Sequence, residues 1–593
     1  MSQQQNIDNN NNNNNPLEGC YDLVSLEAPR LYGLLLKSTV YLAESGLLNN
    51  AFLNTLYKKN KFNLIGTSNI DCMPLLYPLV PPQESNSEFR YTTYTSDEFI
   101  KDLNIIDIYQ GKRKDINSSM DYYNAYKSGK TNPLIIAKKF IDLQKESDQH
   151  EPPLKAFIKI NSDSIIEQAQ ASKERWDSNN PLSVLDGVLI SIKDEIDIKG
   201  YHTTCGTTFL PKIFSEKTTN AFVVEKLLSL GAIITGKVNM HELGISTLGY
   251  NVHYGFTRNP FNLNHYPGGS SSGSASSVSS GLNPISIGCD GGGSIRVPAS
   301  LCGVVGLKPT FGRVSHHGVF DLCSSVGHVG PLGSSVVDTA IGYAAIAGRD
   351  SSDFQTEAQP TPTIPNFSAI PLERPLSKLR VGVFRPWFND CNQNVLESCN
   401  KSLQILEEAG ANIIDIELPN LLFTRLSQAI IIVSEMRNSM NKYLDQYRHE
   451  LHLDTRLTLS LINVVPSTDY IQANRIRSLI IKQLQELFKS VDVIVSPTSA
   501  VTAPEIEKHV LGTGESNINA VGDLMRYAFL ANISGVPGIS IPIGVDHQNL
   551  PIGFQIMGKW WEEDLLLYVG YVLEKNIKFT NEPKYFKCPL AHI

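Results

Sequence analysis

The sequence predicts an α/β protein built on one large parallel or mixed sheet with helices on both faces. Two observations carry this. From about residue 152 onward, helical runs alternate with short, apolar, β-rich runs, the order expected when buried strands are covered by helices. The chain is also 593 residues long, 41% hydrophobic and 19% charged, which is enough for a large core in an ordinary globular protein.

The elements follow in order. Residues 1–15 are Gln/Asn-rich, with too few apolar side chains to offset the entropy of ordering, and are expected to be a disordered tail. Residues 16–150 read as an N-terminal helical extension. It opens with RLYGLLLKSTVYLAES and LLNNAFLNTLYKK, two helix-like segments with broad apolar faces. These faces suit either burial, in a core or a dimer, or contact with a membrane surface, and burial is the commoner use. PLLYPLVPP then limits regular structure, and TNPLIIAKKFIDLQKES starts a helix with a cap residue and a first-turn proline. Residues 151–593 form the expected main domain. DSIIEQAQASKERW and TNAFVVEKLLSLGA read as helices. GVLISIK, AIITGKVN, ISIGCD, VDVIVSPT, GISIPIG and IGFQIMG read as strands, and the Pro-rich stretch 351–375 reads as a surface excursion.

Charge and cysteines exclude several classes. The net charge of −8, without a long basic run, argues against nucleic acid as a partner. Nine cysteines without a CxxC pair fit neither a disulfide framework nor a zinc knuckle, so a reduced, intracellular protein is expected. The N-terminus lacks a secretory pattern, and no run reaches the ~20 apolar residues of a membrane span. A cytoplasmic or peripherally membrane-associated protein is the expectation.

One stretch does not fit a plain reading. PGGSSSGSASSVSSGLNPISIGCDGGGSIRVP (267–298) is written in the residues of a flexible linker, yet it encloses a strand and runs into apolar sequence. Glycines directly after ISIGCD let successive N–H groups converge into an anion-binding nest. The P-loop and dinucleotide-binding patterns are both missing, which leaves a tetrahedral oxyanion as a candidate occupant. GSSSG (269–273) also satisfies G-x-S-x-G, with Ser271 as nucleophile, but no strand precedes it as an α/β-hydrolase elbow requires. GVLISIK ends in Lys193, which alone would be read as a solvated strand end. The histidines carry no spacing signal.

GGSSSGSASSVSSGLNPISIGCDGGGSIRVPASLCGVVGLKPTFGRVS resembles the signature of the amidase signature family. LDGVLISIKDEID, AIITGKVNMHELG, VDVIVSPT and NISGVPGISIPIGVDHQNLPIGFQIMG resemble its other blocks in order, so the resemblance spans roughly 180–575. APRLYGLLLKSTVYLAESGLLNNAFLNTLYKKN and GESNINAVGDLMRYAFLANISG are similar to plant-type fatty acid amide hydrolases. The resemblance implies the amidase signature fold and a serine hydrolase with a Ser–cis-Ser–Lys triad. It places the nucleophile at Ser294, the cis-serine at Ser270 and the lysine at Lys193. It gives the oxyanion hole to the N–H groups of Gly291, Gly292, Gly293 and Ser294. Ser271 is expected to hydrogen-bond Lys193 and Arg296 to hold the loop, and Met240 is either a wall of the site or an ordinary core methionine. Ser272 departs from the glycine more frequent in the family. The implied substrates are N-acylethanolamines and related lipid amides, with no cofactor, no metal and no nucleic acid. A homodimer and membrane contact through residues 28–59 are further implications. The alternatives are an amidase for small or aryl amides and a non-catalytic scaffold on the same fold.

Overall fold

The computed structural model describes residues 21–591, except 25, 27, 46–48, 69, 84–86, 102–117 and 578. The expected disordered tail, 1–15, lies outside the described residues.

Eleven strands form the central sheet: β1 (Phe157–Lys159), β2 (Leu189–Lys193), β3 (Ile233–Val238), β4 (Ile285–Cys289), β5 (Val305–Lys308), β6 (Val329–Gly333), β7 (Arg380–Val383), β8 (Asn412–Asp415), β9 (Val493–Pro497), β10 (Gly538–Val545) and β11 (Pro551–Gly558). Their spatial order is β8-β7-β9-β11-β10-β5-β6-β4-β2-β3-β1. β8, β7 and β9 run parallel, as do β4, β2 and β3, while the strands between them pair antiparallel. The sheet is therefore mixed. Along β9, Val493 and Val495 enter one apolar cluster and Ile494 another. Alternate side chains of a strand face opposite ways, so both faces are covered.

The helices take the positions their sequences allow. α1 (Gly33–Glu44) and α2 (Asn49–Lys59) fall in the two predicted amphipathic segments. α3 (Pro133–Gln149) starts where Asn132 caps the Ile135 N–H and proline occupies the first turn. α4 (Ser272–Ser279) and α5 (Arg296–Cys302) flank β4 in sequence. α6 (Leu421–Tyr447), α7 (Leu453–Leu461) and α8 (Ser467–Leu487) lie between β8 and β9. The 351–375 excursion carries a short strand, Thr363–Pro365, that pairs with Thr93–Thr95 of the extension.

α1 divides its apolar residues. Leu36, Val40 and Ala43 pack with Leu53 and Leu457 of α7, each large side chain contributing about 1.5–3 kcal/mol by burial. Arg456 of α7 makes a bidentate ion pair with Glu44 at the C-terminal end of α1. Leu34, Leu35 and Tyr41 are 81%, 58% and 78% exposed, so burial accounts for only one face of the helix. No helix among the described residues is long and apolar enough to cross a membrane.

Candidate active site

β2 carries Lys193 into the interior, where it is 1% exposed. Its Nζ donates to Ser270 Oγ at 2.8 Å and to the Cys289 carbonyl at 3.3 Å. The Gly269–Ser270 peptide is cis. The Ser270 carbonyl accepts the His241 N–H, which fixes this turn against the segment after β3. Glu195 was not singled out in the sequence, yet its Oε1 lies 2.8 Å from Lys193 Nζ, at ion-pair distance.

The linker-like composition has a packing explanation. α4 is built of Ser, Gly, Ala and Val, and every residue in it is buried. A Cβ on Gly273 would lie 2.3 Å from the Ala156 carbonyl and 2.4 Å from the Asn239 nitrogen, so only glycine fits. Some of its serines find carbonyl partners: Ser276 donates to the Arg258 carbonyl and Ser277 to that of Ser274, while the hydroxyls of Ser274 and Ser279 are buried without a partner among the described residues.

The glycine turn after β4 is held from below by Asp290. Its carboxylate accepts from Gly293 N–H (2.6 Å), Ile295 N–H (3.1 Å), Asn532 (2.9 Å) and the Arg296 guanidinium (3.0 and 3.1 Å). Burial alone would raise the Asp290 pKa, but Arg296 outweighs it and holds the carboxyl far below the usual range. Arg296 thus holds the loop, as the sequence predicts.

This geometry corrects part of the expected oxyanion hole. The Gly293 N–H is committed to Asp290 and is not free for a substrate. The N–H groups of Gly291, Gly292 and Ser294 have no protein acceptor among the described residues. Ser294 lines the cavity, and its hydroxyl has no hydrogen-bond partner there, including Ser270. Ser271 also differs from expectation. Its hydroxyl donates to the Cys289 carbonyl at 3.1 Å, the same oxygen that Lys193 approaches, so it meets the lysine through that carbonyl rather than directly. Nor does Met240 wall the site: it is fully buried, and from this segment Gly244, Ile245, Ser246 and Thr247 reach the cavity. Cys289 and Cys323 do line it, but burial pushes both thiols well above their ordinary range and keeps them protonated.

The cavity is about 600 Å³. Lys193, Glu195, Ser270 and Ser294 line it together with apolar residues such as Phe62, Ile432, Met436, Leu461, Val521 and Met525. The wall reaches α2 through Leu56 and Tyr57. The fold also gathers two groups of metal-type donors that sequence spacing does not reveal, His241/His452/Asp454 and Glu242/His253/His452. His241 Nε2 pairs with Asp454 at 2.9 Å. His452 Nε2 accepts the Val252 N–H at 3.2 Å, so the neutral ring carries its proton on Nδ1, facing Asp454. His253 Nε2 pairs with Glu242 at 3.1 Å and the His452 backbone N–H donates to Glu242 at 2.7 Å, while Nδ1 of His241 and of His452 and Oδ1 of Asp454 are buried without a hydrogen-bond partner among the described residues.

Residues 142–567 match the family profile described as Amidase. The chain belongs to the amidase family. It is 36% identical to a fatty acid amide hydrolase of Medicago truncatula over 572 residues, covering 94% of each chain. It is 37% identical to a fatty acid amide hydrolase of Arabidopsis thaliana over 584 residues, covering 95% of this chain and 96% of the relative. Among solved structures, native peptide amidase from Stenotrophomonas maltophilia superposes with a TM-score of 0.65 at 25% identity, covering 79% of this chain and 98% of that one. The protein is an amide hydrolase with the amidase signature fold.

Proposed function

We propose that this amide hydrolase cleaves fatty acid amides, N-acylethanolamines among them, to free fatty acid and amine. The observation that carries the reading is the buried Lys193–Ser270 pair, which shares with Ser294 a cavity whose lining is largely apolar and reaches α2. An amide needs both an activated nucleophile and a proton donor for its amine, and the three side chains supply both. Lys193, as the free amine, draws the Ser294 proton through Ser270. Ser294 Oγ attacks the acyl carbon, and the carbonyl electron pair moves to oxygen, facing the free N–H groups of the glycine turn. As the C–N bond breaks, Ser270 protonates the departing nitrogen and is reprotonated from Lys193. Water then repeats the sequence on the acyl-serine and releases the acid. The Ser270–Ser294 contact closes when substrate occupies the cavity, as catalytic hydrogen bonds commonly do.

In this reading the chain divides near residue 150 into a helical extension and a catalytic domain, and the extension serves access. The exposed Leu34, Leu35 and Tyr41 face suits a membrane surface or a second copy of the chain. The relatives' names favour lipid amides over the small or aryl amides of the alternative reading. The deciding test measures fatty acid released from a chain-length series of N-acylethanolamines and from a small aryl amide, with wild type and Ser294→Ala. Long-chain preference abolished by the substitution is expected. Turnover of the aryl amide alone would discard the lipid assignment.

A further inference from the structure

We propose that Gln428 on α6 is a positioning residue for the oxyanion loop: it sets the direction of the Gly292 N–H and ties it to the wall that receives the acyl chain. The proposal rests on Ser294 being the nucleophile. Gln428 is 1% exposed, and its Nε2 donates to the Gly291 carbonyl at 2.7 Å. Only the NH₂ end of an amide can face a carbonyl, so that hydrogen bond also fixes the orientation of the side chain.

Peptide geometry gives this bond its consequence. The Gly291–Gly292 peptide is trans; the cis bonds among the described residues are Glu151–Pro152 and Gly269–Ser270. In a trans peptide the C=O and the following N–H point in opposite directions. Holding the Gly291 oxygen against α6 therefore turns the Gly292 N–H away from α6, where no protein acceptor meets it. The neighbouring peptides are held in the same manner. Asn532 donates to the Asp290 carbonyl at 2.9 Å, and the Val297 N–H donates to the Gly293 carbonyl at 2.7 Å. These bonds leave the Gly291 and Ser294 N–H groups unspent. Of the three anchors, Gln428 comes from the helix that lines the cavity most extensively; the helix of Asn532, Phe529–Ser534, adds Phe529, and that of Val297 adds none. Ala429, Ile432, Val433 and Met436 of α6 face the cavity, and a Cβ on Gly291 would lie 3.1 Å from Ile432 Cδ1. Contacts made by the acyl chain thus bear on the helix that orients an oxyanion donor, a route by which remote binding energy reaches the reacting centre.

The test compares two long-chain ligands. A trifluoromethyl ketone accepts a bond from Ser294 Oγ; the serine proton passes toward Lys193, and the carbonyl electron pair becomes an oxyanion in the loop. The matched trifluoromethyl carbinol fills the same space without forming one. In Gln428→Met, ketone affinity is expected to fall roughly 10- to 100-fold, toward the effect of losing one oxyanion donor, with carbinol affinity unchanged within about threefold. Gln428→Glu offers only acceptor oxygens when ionised but can donate when protonated. Its ketone-to-carbinol ratio should recover toward wild type on acidification, whereas that of Gln428→Met should not. Equal losses for both ligands, or no loss for the ketone, would overturn the positioning role. If wild type binds the carbinol and not the ketone, the serine mechanism falls and takes this inference with it.

Discussion

Asp290→Asn probes the support beneath the glycine turn after β4. The substitution keeps size and shape but removes the negative charge and turns one acceptor into a donor. In the native protein that carboxylate is fully buried and takes six hydrogen bonds, two of them from the Arg296 guanidinium and three from the backbone N–H groups of Gly293, Ile295 and Arg296. Arg296 is itself 0% exposed, and its remaining partners, Gln555, Asn532 and the Ala528 carbonyl, are neutral. Removing one member of such a pair leaves a charge in the interior without its counterion, which costs about 3–5 kcal/mol. The loss should appear as a lower urea midpoint in intrinsic fluorescence. It should be accompanied by slower labelling of Ser294 by a fluorophosphonate, because Gly293 is released from its anchor. Arg296→Met strands the carboxylate instead and should cost a similar amount. The double substitution should cost clearly less than the sum, because the partners share one interaction. A loss under about 1 kcal/mol for Asp290→Asn, with normal labelling, would refute the claim that this pair holds the turn. The sign with pH is also fixed. The folded carboxyl lies below its unfolded value, so the pair's stabilisation is complete above about pH 4 and fades only as pH falls toward the depressed folded value.

Three further outcomes follow from the same geometry. Burial pushes His452 down to about 4, so between about pH 6.5 and pH 4 the unfolded chain binds the proton first and stability falls by about 3 kcal/mol; His452→Gln should flatten that part of a stability-versus-pH curve. Gly273→Ala should yield no soluble protein, because the new Cβ meets backbone atoms at 2.3 and 2.4 Å; Gly292→Ala meets the flexible end of Met525 and should fold, with soluble yield and circular dichroism reading both. Glu195→Gln removes the carboxylate 2.8 Å from Lys193 Nζ, a contact that holds the lysine head group at the end of β2; turnover of an N-acylethanolamine should fall, and turnover equal to wild type would mean that Lys193 keeps its place without it.

What was legible in the sequence follows from how far each interaction reaches along the chain. Buried strands and capped helices are written in neighbouring residues, so the α/β class, six of the eleven strands of the sheet and the proline-led start of α3 could be read directly, while β1, β5, β6, β7 and β8 were not. Lys193, Ser270 and Ser294 could be proposed as site residues because blocks around them resemble a family. Their hydrogen bonds were not, since Ser271 and Lys193 meet at a carbonyl, Cys289, that no side-chain pattern marks. A similar gap hid the commitment of Gly293. DGGGS presents four consecutive N–H groups as equals, and only the fold of the turn shows that the aspartate opening the motif takes one of them. Gln428 lies 137 residues from the carbonyl it holds, in a helix whose letters read as plain apolar core. α1 failed as a periodicity argument for a different reason. Apolar pattern reports that a face avoids water, whereas its partner is set by what stands opposite, and α7 covers only the Leu36–Val40–Ala43 side. Sequence therefore named candidates for the reacting atoms, and the groups proposed to aim them came only from the fold, because the aiming is done by backbone peptides whose orientation any residue type could adopt.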